Sequence, residues 1–206
     1  MPSNATFLEV KNAFQSIAGL ESLTAADEFF LTSSLNRAVY RAYNESDSWP
    51  RYLVVGESRL IITDPAATVP YAEAAKETIG EFLRVHRTEP FLSNSALEFE
   101  FYVDSVGAHI LNLTTSDSTS VFVTYKKELQ ANFTPDSTDI PAEFVDYIIY
   151  TALTDFYTGD GQTEKAAVAA SQAKMMLDIE LLRLDKKANN NTINKKFSTY
   201  VNRQSR

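Results

Sequence analysis

The chain has 206 residues, which suits one domain or a domain carrying an insertion, and its 44% hydrophobic and 12% aromatic content supplies a sizeable core. It has no cysteine, which excludes disulfides, thiolate nucleophiles and cysteine-ligated zinc and leads us to expect an intracellular protein. The net charge of −8 is unevenly spread: residues 186–206 hold six of the 19 basic residues and none of the 27 acidic ones, leaving 13 basic and 27 acidic residues, or −14, in the rest.

Residues 6–17 read as a first helix, with Phe7, Val10, Phe14 and Ile17 on one side and Gly19 just past the end. Thr24 caps a longer second helix, and Asp27 stands in for the Glu or Gln of a capping box. Leu31, Leu35, Ala38 and Ala42 form its stripe, with Phe29, Tyr40 and Tyr43 as an aromatic flank. Trp49-Pro50 bounds it, because the residue before a proline avoids helical geometry. Residues 1–50 are therefore expected to form an N-terminal helical hairpin.

The period changes over residues 51–135, an expected β-rich insertion. Residues 52–55 and 59–62 read as two short strands around Gly56, residues 64–78 as a connection with one helical turn at 72–76, and residues 79–86 as a strand. Leu97-Glu98-Phe99-Glu100-Phe101 alternates apolar with charged, the pattern of a sheet with one wet face. Residues 108–113 and 121–125 add strands on either side of a Ser/Thr-rich turn at 114–120.

Residues 136–187 form the clearest element pair. Pro141 fits a first helical position, where its missing N–H is harmless. Phe144, Ile148 and Thr151 make one row and Val145, Ile149, Ala152 and Phe156 a second, so wide a face that burial on more than one side is implied. Gly159-Asp160-Gly161 ends this helix. The next begins near Gln162 and carries Ala166, Ala169, Ala170 and Ala173, then Met176, Leu177, Leu181 and Leu184, with small residues that let two axes approach closely. The order of elements predicts an α+β fold: a four-helix bundle formed by the N- and C-terminal hairpins, with an inserted antiparallel β-sheet. Residues 188–206 include Asn189-Asn190-Asn191 and keep no steady period, so an extended basic tail, disordered in the isolated protein, is expected.

Catalytic patterns are sparse. There are six glycines but no phosphate-cradling loop, and the two histidines, His86 and His109, have no metal-spaced partner in sequence. Ser171-Gln172-Ala173-Lys174 matches the S-x-x-K of acylating serine enzymes but sits in an alanine-rich helix without the companion motifs. Asp155 and Asp160 miss calcium-loop spacing, and Glu98 with Glu100 reads as a solvated sheet face. No catalytic residue, metal or cofactor is expected. The candidate interaction element is the tail, through Lys186, Lys187, Lys195, Lys196, Phe197, Tyr200, Val201, Arg203 and Arg206. Its plain reading is a solvated terminus; apolar anchors among the charges argue for docking on an acidic neighbour, including another copy of the chain.

Several phrases in this order resemble the head–tail connector, or adaptor, proteins of tailed bacteriophages. They are Ile17-Ala18-Gly19-Leu20-Glu21-Ser22-Leu23-Thr24, Ser48-Trp49-Pro50, Thr78-Ile79-Gly80-Glu81-Phe82-Leu83-Arg84-Val85, Ser120-Val121-Phe122-Val123-Thr124-Tyr125, Ile140-Pro141 and Asp160-Gly161-Gln162-Thr163-Glu164-Lys165-Ala166. The resemblance implies a non-enzymatic structural protein of the virion neck, assembled in the host cytoplasm. It implies a homo-oligomeric ring of twelve subunits docked on the portal protein, with tail or nozzle proteins below, no membrane contact, and genomic DNA only passing through the channel. The C-terminal segment would reach into the portal, and an acidic ring would let DNA slide rather than stick. Another neck or tail-completion ring is the neighbouring alternative; an enzyme, or a non-viral module that captures an extended peptide on a sheet edge, is the alternative of a different class.

Overall fold

A computed structural model describes residues 4–62, 67–90, 98–111, 113, 120–129 and 132–204, with side chains as far as Lys186. In chain order the elements are β1 (Asn4–Ala5), α1 (Phe7–Ala18), α2 (Ala25–Asn44), β2 (Leu53–Leu60), β3 (Thr68–Pro70), β4 (Ile79–His86), β5 (Phe101–Val103), β6 (Gly107–Ile110), β7 (Ser120–Lys127), β8 (Ile140–Pro141), a 3-10 turn (Ala142–Phe144), α3 (Val145–Gly159) and α4 (Thr163–Gln204). They fall into a helical unit, Met1–Ser46 with Ala131–Arg206, and a sheet unit, Asp47–Gln130.

In the helical unit both N-terminal helices start on complete capping boxes. Thr6 N donates to Glu9 Oε2 at 2.7 Å while Glu9 N donates to Thr6 Oγ1 at 3.1 Å. Thr24 and Asp27 reciprocate in the same way, at 2.9 and 3.3 Å, and the Thr24 hydroxyl bond holds the Asp27 carboxyl below the usual carboxylate range. Gly19, at φ 73°, takes the left-handed cap that ends α1.

The expected four-helix bundle is not what forms. α1 and α2 are joined by the Lys11–Glu28 ion pair, and α3 is a hub on which α1, α2 and α4 each pack. The width of its apolar surface explains this: Ile148, Ile149, Thr151, Ala152 and Leu153 are all buried, running round the helix, whereas a bundle helix buries one stripe. Against it α4 buries Ala166, Ala169, Ala173 and Leu177, but Ala170 faces out. Pro141 does not open the helix either; β8 pairs antiparallel with β1, Ala5 opposite Ile140, and the 3-10 turn separates it from α3.

Nor is the C-terminal segment extended. The backbone stays helical to Gln204, because no glycine or proline interrupts residues 163–204 and nothing there stops a helix once started. The single inserted sheet is also corrected, to two three-stranded antiparallel sheets in the orders β2-β7-β4 and β3-β6-β5.

Within the sheet unit, the two strands expected around Gly56 are one bulged strand, β2, whose register on β7 shifts between Val54 and Glu57 with Gly56 at φ 65°. β4 spans the expected residues 79–86 and pairs β7 from the other side. The Leu97–Phe101 alternation holds in exposure, with Glu98 and Glu100 exposed and Phe99 and Phe101 half-buried, but β5 begins only at Phe101. Leu97 and the turn at 114–119 lie outside the described residues. Both sheets contribute to one apolar cluster that includes Val69, Phe82, Val85, Ala108, Val121, Val123 and Tyr125.

Candidate functional site

The α3–α4 hairpin turns at Asp160-Gly161, with Gly161 at φ 74°, and beside it opens a groove of about 410 Å³. Its floor is apolar: Tyr150, Leu153 and Tyr157, spaced to share one side of α3, meet Ile17 from the end of α1 and Val168 and Ala169 from α4. Lys165 lies 5.5 Å from the centroid of the Tyr157 ring, a cation–π contact that leaves Glu164 exposed at the same wall. Asp146, exposed and four residues before Tyr150, extends the α3 side with a carboxylate.

From the groove an apolar line continues along α4. Val168 is 62% exposed, Met175 45%, Ile179 38% and Leu182 57%. Single exposed apolar residues are ordinary, but these four, at seven-, four- and three-residue spacing, fall on one side of the helix. Beyond it lie the residues expected to dock. Lys186 is exposed; Lys187, Lys195, Lys196, Phe197, Tyr200, Val201 and Arg203 stand on the α4 backbone, their side chains outside the described residues, and Arg206 lies outside altogether.

The polar constellations are in the sheet unit. Thr68 Oγ1 lies 2.8 Å from His109 Nδ1, and His109 Nε2 lies 2.9 Å from Asp104 Oδ2, with the Tyr102 ring stacked on the imidazole at 4.7 Å. This hydroxyl–imidazole–carboxylate order matches that of hydrolytic triads. Thr68, however, is only 5% exposed, which closes its hydroxyl to a substrate, while Asp104 also accepts from Val106 N at 2.8 Å and Gly107 N at 3.2 Å. The Val106 bond foremost, then those of His109 and Gly107, hold the Asp104 carboxyl below its ordinary range against the opposing effect of burial, and the two backbone bonds clasp the β5–β6 turn.

A second network surrounds Arg59, which is fully buried. Its Nη2 donates to the Tyr125 hydroxyl and to the Glu77 carbonyl, both at 2.6 Å, and its guanidinium lies 4.8 Å from the Tyr125 ring centroid. Glu57 Oε2 is 2.7 Å from Nε, close enough to balance the charge. Ser171 and Lys174 of the S-x-x-K phrase are both exposed on α4. Among the described residues no group of three or more His, Cys, Asp or Glu side chains is placed to hold a metal ion, and no helix is long and apolar enough to cross a membrane.

Sequence reasoning reached the basic segment but missed the groove and the exposed line. The signal was present in Asp146, Tyr150, Leu153 and Tyr157, a further row on α3, and in Val168, Met175 and Leu182 at seven-residue intervals. No protein-family model matches the chain, and no curated protein matches it.

Proposed function

We propose that this chain is a non-enzymatic structural protein of a tailed-phage neck, an adaptor that forms a ring beneath the portal and links capsid to tail. The observation that carries the reading is α4. Its first turns are packed on α3 by Ala166, Ala169, Ala173 and Leu177, and the same 42-residue helix then carries a stretch with no acidic side chain. Residues 187–204 prolong it by roughly 27 Å at helical rise. A basic rod held by one end to an acidic body is an assembly device: it presents charge and apolar anchors to a partner without first having to order them. The phrases shared with the connector proteins point the same way.

In this reading the distal helix contacts the portal protein, copies of the chain close into a twelve-membered ring through head-to-tail interfaces, and DNA passes through the acidic channel. Weak binding per copy is raised by multivalency on one rigid ring. The test is attachment to purified portal rings, seen by negative-stain imaging and co-sedimentation. Full-length protein attaches, and attachment weakens as salt screens the exposed charges; protein lacking residues 187–206 stays folded and does not attach. Equal attachment by the truncated chain refutes the portal contact. Recovery of tail components in place of portal moves the protein to another neck ring.

A further inference from the structure

We propose that the groove beside the α3–α4 hairpin receives the distal, basic part of α4 from a second copy of this chain. The assignment deepens the ring reading, on which it rests, by naming the two surfaces through which copies meet before portal is bound; portal then competes for the same helix.

Charge selects the occupant. Residues 131–164 contain Asp136, Asp139, Glu143, Asp146, Asp155, Asp160 and Glu164 and no basic residue. Of these, Glu164 lines the groove, Asp146 is exposed one turn before Tyr150 and Asp160 is exposed at the hairpin turn; the basic side chain at the wall, Lys165, is exposed with its ammonium over the Tyr157 ring. The floor between them is aromatic and aliphatic, so the groove suits a cationic helix with apolar anchors, and a hydrophobic groove reads such a helix at i, i+3, i+4 and i+7 spacing. The chain contains that helix. Ile193, Phe197, Tyr200 and Val201 recur at four-, three- and one-residue steps among Lys195, Lys196 and Arg203, on a backbone that is helical to Gln204.

Reach selects the second copy. Val168, at the groove, and Phe197 stand on one uninterrupted helix, so 29 residues separate them by roughly 43 Å along its axis. A continuous helix does not fold back on its own base. The groove and the distal helix are also different surfaces, so each copy offers one of each and the contact is heterologous, the kind that repeats around a ring.

The absence of cysteine makes the test clean. Val168→Cys and Tyr200→Cys are prepared as separate full-length chains, mixed, and oxidised gently. We expect a mixed disulfide dimer at about tenfold the yield of a control pair, Ser58→Cys with Tyr200→Cys, because docking raises the local thiol concentration. Adding Asp146→Lys and Glu164→Lys to the Val168→Cys chain returns the yield to the control level. Equal yields from the two pairs overturn the proposal, as does a Val168→Cys/Tyr200→Cys double variant that closes quantitatively within one monomer. Portal is absent from this mixture, so a missing cross-link removes the groove assignment alone, whereas portal attachment is read separately by imaging.

Discussion

In the helical unit the buried polar side chains among the described residues are Ser34 and Thr151, and Ser34 is satisfied by a 2.8 Å bond to Asp155. In the sheet unit they are Arg59, Thr68, His86, Thr124 and Lys126, two of them long cations. The difference follows from how each kind of element pairs its backbone. A helix satisfies its own N–H and C=O groups, so the space around α3 can be filled with carbon. The small sheets are irregular, with register shifts in β2 and at two points in β4, and they leave backbone groups for side chains to pair. Arg59 Nη2 takes the Glu77 carbonyl, Lys76 Nζ the Ser58 carbonyl, Glu73 the Leu60 N–H and the Thr124 hydroxyl the Gly56 N–H. Charge enters this core as a substitute for missing strand neighbours.

If that is right, the largest stability loss comes from Arg59→Ala. It leaves the Glu77 carbonyl, the Tyr125 hydroxyl and the Glu57 carboxylate without their common partner, and breaking a buried pair from one side costs about 3–5 kcal/mol. Urea denaturation gives the size, and amide exchange localises the loss to β2, β7 and β4. Arg59→Met, which keeps the volume, costs less. A loss below about 1 kcal/mol for the alanine variant would mean that the cation is tolerated rather than needed.

The helical unit answers to volume instead. Ala173→Leu inserts three carbons where α4 lies against α3 at 6% exposure, and overpacking of this kind costs about 1–3 kcal/mol. The loss should appear in the amide exchange of α3 and α4. A neutral or stabilising result would show slack between the helices and remove the contrast with the sheet unit.

The same contrast decides what was readable beforehand. Helix limits set by local chemistry were legible: Thr24 with Asp27, Gly19 and the Gly159–Gly161 turn all act within a few residues. Pairings between distant short segments were not. β1 and β8 have two residues each, and β3 has three and ends in Pro70, so no period can announce them. The two rows on α3 did announce burial on more than one side, but they do not say which helices fill those sides, and the expected bundle gives way to a hub on which α1, α2 and α4 each pack. The tail was under-read because its weak amphipathic period outweighed the lack of any breaker. At the candidate site, the basic residues stood out by composition, whereas Tyr150 and Tyr157 belong to neither apolar row read on α3; that they line an open groove depends on where α1 ends and α4 begins.

The smallest effect is a conditional one. Burial, reinforced by the bond that the Tyr125 hydroxyl donates to Glu57, pushes this phenol from 10.0 up to about 12, against the opposing pull of Arg59. Below pH 10 both folded and unfolded chains keep the proton, and Tyr125 adds no pH dependence. Between pH 10 and about 12 the unfolded chain loses it while the folded chain holds it, so the unfolded state binds fewer protons and stability falls as pH rises. The chain has ten tyrosines, and the comparison with Tyr125→Phe isolates this one. The variant is less stable at neutral pH, by about 1 kcal/mol for the lost hydrogen bond, yet the gap to the parent narrows above pH 10 because the variant lacks this loss. Parallel stability curves from pH 9 to 12 would mean that the phenol ionises freely, and that the sheet unit admits water where the helical unit does not.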